Sequence, residues 1–223
     1  MTLLAARKLG ILLLILLATT MSTGCSTFSG GIDQQLIQLD IEYKQSPELA
    51  RTQLKELKDH HADDARPWIK SGYWSLKEQD IERAGIAFRQ ARRLDNNNAD
   101  IYMGLGICAD SQKRHIQAQA YYQQGLKLES HNLKLKNNLA LSYLLSQEIE
   151  RAITLLESTI NNLSHTSALT PTEEDRLRAN LSLAYAMNNN PQQAYKIDKQ
   201  LLGEPTAQRN RLASEALSSG KTQ

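Results

Sequence analysis

The side chains that could do chemistry are few and scattered. The densest group is Asp59-His60-His61-Ala62-Asp63-Asp64, which carries two histidines and three carboxylates. These are metal-donor types, but adjacent histidines point in different directions, and no i, i+4 histidine pair is present. A solvated turn is expected here, and no metal. Glu173-Glu174-Asp175 is a second acidic run. It falls at an expected helix start, where acids complement the helix dipole. Of the two cysteines, Cys108 lies in Ile107-Cys108-Ala109. It reads as a small apolar residue in a helix, with no His or Asp motif nearby to make it a nucleophile. The chain has no Gly-rich phosphate loop, no GxSxG, no HExxH and no CxxC. The expectation is a binding protein without a cofactor, not an enzyme.

The other cysteine, Cys25, has a chemistry of its own. Arg7 and Lys8 precede an apolar core at Ile11 to Ala18, followed by small and polar residues. The core is far shorter than the roughly 20 residues that span a bilayer. The order basic, apolar, small is that of an export signal. It ends in Ser22-Thr23-Gly24-Cys25, which resembles a bacterial lipobox, with Ser22 where leucine is usual. In a lipobox the cysteine is acylated and becomes the new N-terminus. The resemblance implies residues 1–24 as a lipoprotein signal peptide and 25–31 as the lipidated cysteine and a tether. Ser26, not aspartate, follows the cysteine; by the same resemblance this implies the periplasmic face of the outer membrane. Each buried CH₂ of an acyl chain contributes about 0.8 kcal/mol, and stable anchoring takes more than one chain. With Cys25 acylated, Cys108 has no partner for an intrachain disulfide.

The full chain carries 26 basic and 24 acidic residues, a formal charge of +2. Losing Arg7 and Lys8 leaves 24 of each sign. A near-neutral chain without a basic stripe disfavours nucleic acid as a partner.

The elements that must position any site follow from one period. Ala84, Ala118 and Ala152 are spaced by 34 residues, and four residues after each stands a bulky side chain: Phe88, Tyr122 and Leu156. Twelve residues before them stand Gly72, Gly106 and Ala140. This period, with small residues at fixed slots, is the signature of tetratricopeptide (TPR) helical hairpins. Small residues let the two helices cross closely. Five units can be phased, starting near Gly31, Ala65, Ala99, Leu133 and Asp175, with an eight-residue insertion before the last. The expected fold is an all-α TPR solenoid of about five units over residues 32–203, with a capping helix and tail over 204–223. The first unit lacks the Trp and Gly positions. The fifth has Asp198 where a large apolar residue belongs. Atypical terminal repeats suit an array whose ends face water.

Helix boundaries are legible too. Ser46-Pro47-Glu48 predicts a helix start. Asp80 is an expected N-cap. Asn96-Asn97-Asn98 is read as a left-handed helix end. Thr170-Pro171-Thr172-Glu173 predicts a capping box that restarts the chain after the insertion. A last helix, from Pro205 through Leu217, is expected to cap the array with Leu212 and Leu217.

The stretch Leu135–Ile160, with KNNLALSYLLS and ERAITLLE at its centre, and RANLSLAYAM at Arg178–Met187 resemble TadD. TadD proteins are the TPR lipoproteins of the tight-adherence (Flp pilus) system, and the resemblance covers about the last 120 residues. It implies a pilotin-like assembly factor whose partners are proteins of a pilus or secretion apparatus, the outer-membrane secretin among them. The alternative is another lipoprotein adaptor, similar to type IV pilus pilotins or to TPR scaffolds for cell-wall enzymes.

In TPR folds the first helices of successive units line a groove, chiefly through motif positions 2, 5, 9 and 12. Positions 5 and 9 are Ile69 and Tyr73, Met103 and Ile107, Asn137 and Leu141, Ala179 and Leu183; position 12 adds Leu76, Leu144 and Ala186. Most are apolar, which predicts an amphipathic helix or apolar peptide as occupant. The alternative is a groove filled by the chain's own terminal helices.

Overall fold

The computed structural model describes residues 31–163 and 171–218. The signal, Cys25, the tether up to residue 30 and the Thr170 cap lie outside the described residues. The described chain is helical throughout, with eleven helices and no strand. No helix among the described residues is long and apolar enough to cross a membrane.

The chain divides into two compact units, one up to Gln53 and one from Leu54. The first contains α1 (Ile32–Gln45) and the start of α2 (Pro47–His60). Helix α1 buries Leu36, Leu39 and Tyr43, the i, i+3, i+7 stripe of an amphipathic helix. Pro47 opens α2, because a proline at the first helical position loses no hydrogen bond there. Arg51 lies over the Tyr43 ring, 5.7 Å from its centroid.

The second unit is a series of antiparallel pairs: α3 (Arg66–Lys77) with α4 (Ile81–Leu94), α5 (Ala99–Ser111) with α6 (His115–Leu128), α7 (Leu133–Leu145) with α8 (Ile149–Leu163), and α9 (Pro171–Met187) with α10 (Pro191–Leu202). Helix α11 (Glu204–Ser218) follows. These pairs match the phased repeats. Capping side chains set the starts. Asp80 accepts from Arg83 N at 2.9 Å, Asn132 from Leu135 N at 3.1 Å and Asn190 from Gln193 N at 3.3 Å.

The core is built from one recurring contact, a large side chain of the second helix set against a small one of the first, 16 residues earlier in sequence. Phe88 is fully buried over Gly72; a Cβ on that glycine would lie 2.6 Å from the ring. Tyr122 sits on Gly106 in the same way, at 2.3 Å. Leu156 is fully buried in one cluster with Ala140. At the fourth place Ser182 meets Asp198, and its hydroxyl donates to the carboxylate. Phe88 has a second socket as well: a Cβ on Gly104 of the next repeat would lie 2.3 Å from its ring. These distances are far inside van der Waals contact, so only glycine fits at the three glycine positions.

The turns within repeats follow a rule of their own. Gln79, Lys113, Gln147 and Asn189 all have positive φ, between 51° and 64°. The first three are spaced by 34 residues, and the fourth follows after the insertion. The next residue closes the turn by donating its N–H five residues back, as from Arg114 to Ala109 O at 2.9 Å and Glu148 to Tyr143 O at 2.8 Å. This is the Schellman arrangement that satisfies the last carbonyls of a helix. The left-handed residues are these, not Asn96 to Asn98. Asn98 is extended (φ −127°) and caps α5, accepting from Asp100 N at 3.0 Å.

Helix α11 starts one residue before Pro205. Its buried contact is Ala207, fully covered, whereas the expected anchor Leu212 is 52% exposed. The side chain of Leu217 lies outside the described residues.

Candidate functional site

Four expected groove residues converge. Tyr73 on α3, Met103 and Ile107 on α5 and Asn137 on α7 line a cavity of about 440 Å³. Its remaining wall comes from Leu133, Lys134 and Asn138 on α7 and the start of α9. Tyr73 is held by its ring and its hydroxyl. The ring stands edge-on to Phe88, 5.2 Å between centroids and 81° apart. The hydroxyl donates to the Asp100 backbone carbonyl at 3.2 Å. Burial, with the Asp100 charge beside it, pushes the phenol well above its ordinary range. Tyr73 is therefore a neutral, fixed wall. Asn137 is fixed too, accepting from Asn180 Nδ2 at 2.8 Å.

The rim is charged. Asp100, Lys134 and Arg176 edge the cavity, one from each of α5, α7 and α9, and Glu173 joins them. The three occupy motif position 2 of consecutive repeats. The groove rule contained that position, but the expectation was drawn from positions 5, 9 and 12, so the rim was missed. Partial burial, and then repulsion from Glu129, hold the Asp100 carboxyl above its ordinary value, with Lys134 opposing.

The other expected groove residues stand elsewhere. Ile69 is half-buried against the cluster around Phe88. Leu141 is 37% exposed on α7 and Leu183 is 46% exposed on α9. Leu183 lines a second cavity, of about 650 Å³, enclosed by α9, α10 and α11. Leu144 does not belong to a groove. It is 2% exposed and packs with Tyr122, Leu139 and Tyr143. Lying four residues after Ala140, it shares the core face of α7.

The remaining polar groups are structural in geometry. Asp64 is taken by Arg66, accepting from its backbone N at 2.8 Å and its guanidinium at 2.6 Å, and this bonding lowers the carboxyl pKa. No cluster of three metal-donor side chains forms among the described residues. Cys108 is 4% exposed, and burial pushes its thiol up to about 11, which leaves it protonated and unreactive at neutral pH. Asp110, His115 and Ser142 gather unexpectedly. Ser142 is fully buried and donates to Asp110 Oδ1 at 2.8 Å; His115 Nδ1 lies 2.9 Å from the same oxygen, and Tyr122 donates to Oδ2 at 3.1 Å. A nucleophilic serine needs access and a base facing its hydroxyl. Here the carboxylate is the hub, and it staples α5, α6 and α7 together.

No family model matches the chain, and no curated protein matches it. Solved structures do. The chain is similar to Pseudomonas aeruginosa pilF (19% identity, TM-score 0.58, covering 70% of this chain and 69% of that one). It is similar to YrrB, described as a TPR protein with an unusual peptide-binding site (17%, TM-score 0.57, 75% and 84%). It is also similar to MamA from Desulfovibrio magneticus RS-1 (17%, TM-score 0.62, 78% and 94%). The repeat period, the paired helices and these likenesses agree: the fold is that of the tetratricopeptide-repeat proteins.

Proposed function

We propose that the chain is a lipid-anchored protein-binding factor, held through Cys25 at the periplasmic face of an outer membrane, that helps to assemble a pilus or secretion apparatus of the tight-adherence type. It binds an apolar or amphipathic peptide segment, with the outer-membrane secretin as its expected source. The observation that carries the binding role is the cavity of about 440 Å³ where Tyr73, Met103, Ile107 and Asn137 meet. Its apolar walls would take side chains, and the charged rim would set register. The likeness to pilF supports a pilus-related role, and the TadD-like segments support the tight-adherence system. The same likeness to pilF favours, as a second reading, an adaptor of another pilus system.

Two experiments test this. Tyr73→Glu faces the cavity from a wall that is partly solvent-accessible. Loss of secretin capture from a solubilised envelope, by a variant that still folds with a melting temperature somewhat lowered by the lost contact with Phe88, is the expected result. Retained capture would remove the cavity from the function. Cys25→Ser should release the protein from the outer membrane and impair pilus assembly; normal fractionation and assembly would remove the anchor.

A further inference from the structure

The second cavity has a different chemistry. Its volume of about 650 Å³ lies in the range of ligand pockets. Leu183, Met187, Leu201 and Leu202 supply apolar wall. Leu183 and Leu202 are 46% and 53% exposed, so the apolar wall reaches solvent. The floor is rigid. Asp198 is 7% exposed, and both its oxygens are engaged, by the Ser182 hydroxyl and by Asn210 Nδ2 at 2.7 Å. The carboxylate thus ties α9, α10 and α11 together and has little capacity left for a ligand.

Arg211, in the same wall, is the opposite case. Its Nε is buried and has no hydrogen-bond acceptor. Glu215 Oε1 stands 3.9 Å from that nitrogen, too far for a hydrogen bond, and the guanidinium lies 5.3 Å from the Tyr195 ring centroid. A guanidinium presents five donors in a fixed fork suited to a carboxylate. The Arg211 side chain is one-third exposed and its ion pair with Glu215 is loose, so the guanidinium can take an acidic partner from the cavity.

We propose that this cavity is a second docking point, for a partner segment that sets an acidic side chain against Arg211 and apolar neighbours against Leu183, Met187 and Leu202. It extends the protein-binding reading given above, and its selectivity for acid distinguishes it from the cavity at Tyr73. Because α9 contributes to both cavities, a single partner segment crossing α9 could engage them together.

The test uses purified full chain and fluorescent, N-acetylated, C-amidated peptides. Each has eight apolar residues around one central Glu, Gln or Lys. The Glu peptide is expected to bind at least about ten-fold more tightly than the other two. Arg211→Gln should bring the three within about two-fold of one another, while Tyr73→Glu should leave the preference intact. Ala213→Trp, an exposed substitution in the cavity wall, should abolish the preference for the Glu peptide even if Arg211→Gln proves unstable. Equal binding of the three peptides, or binding of none, overturns the proposal. So does a preference that survives Arg211→Gln, a preference lost in Tyr73→Glu, or a preference that survives Ala213→Trp.

Discussion

The middle repeats and the last one solve the same packing problem with opposite materials. Between Arg66 and Leu163 the wedge between paired helices is made by rings and alkyl groups: Phe88 on glycine, Tyr122 on glycine, Leu156 near alanine. Between Pro171 and Leu202 it is polar, Ser182 to Asp198. The small partner grows as the large one shrinks, from Gly–Phe to Ser–Asp, so the sum of volumes is partly conserved. The apolar payload is not. An aromatic side chain buries roughly 150–250 Å², whereas aspartate contributes a hydrogen-bond hub that must be fully satisfied to be tolerated. The larger cavity lies beside the polar version. The chemistry of the paired contact, not helix content, separates the two regions, and the cavity at Tyr73 lies beside the aromatic version.

The largest effect should come from removing a wedge in the middle. Phe88→Ala deletes a fully buried ring that fills two glycine sockets, and should cost about 3–5 kcal/mol. Asp198→Ala removes two hydrogen bonds and should cost less, about 1–3 kcal/mol. Urea unfolding of both variants tests the ranking; an equal loss would mean that the two regions contribute alike. Gly106→Leu comes next. Its first side-chain atom would already lie 2.3 Å from the Tyr122 ring, so overpacking should cost about 1–3 kcal/mol. The melting temperature should fall accordingly, and an unchanged midpoint would put the helix crossing elsewhere.

The smallest effect concerns the turns. Lys113 holds a left-handed conformation that L residues adopt at a cost of roughly 1–2 kcal/mol. Lys113→Gly relieves that strain but loosens the unfolded chain, for a net gain of up to about 1 kcal/mol. Asn189 has the same conformation in the last repeat, where asparagine already tolerates it. Asn189→Gly should therefore shift the melting temperature less. A larger gain at Asn189 would reverse the comparison.

Much of this was legible because repetition converts local chemistry into a signal. The spacing of Ala84, Ala118 and Ala152 phased the paired helices, and the cap at Asp80 and the proline at Pro47 marked boundaries. What escaped was contact between repeats. Gly104 serves Phe88 across a repeat boundary, and a period displays only what recurs in every unit. Leu144 was misplaced because a motif position was followed in preference to the helix face it shares with Ala140. The site was half legible. Tyr73, Met103, Ile107 and Asn137 do meet; Asp100, Lys134 and Arg176 at the rim share motif position 2, but as charged residues they give no apolar signal of a groove. Nothing in the sequence pattern sets Leu183 apart from Ile107, so the division into two cavities required the position of α11.

The double socket of Phe88 also bears on how such an array can change over generations. Repeats of equal length invite gain and loss of whole units, since excising residues 99–132 would leave every other helix intact and in phase. Phe88 would then face Asn138, the residue at the equivalent place in the following repeat, where it now meets Gly104. A ring that tolerates no Cβ there would have no place to go. The chain is thus periodic in length yet not freely interchangeable: the unit that carries Phe88 is fitted to its successor, and an excision that respects the 34-residue ruler would still displace that ring.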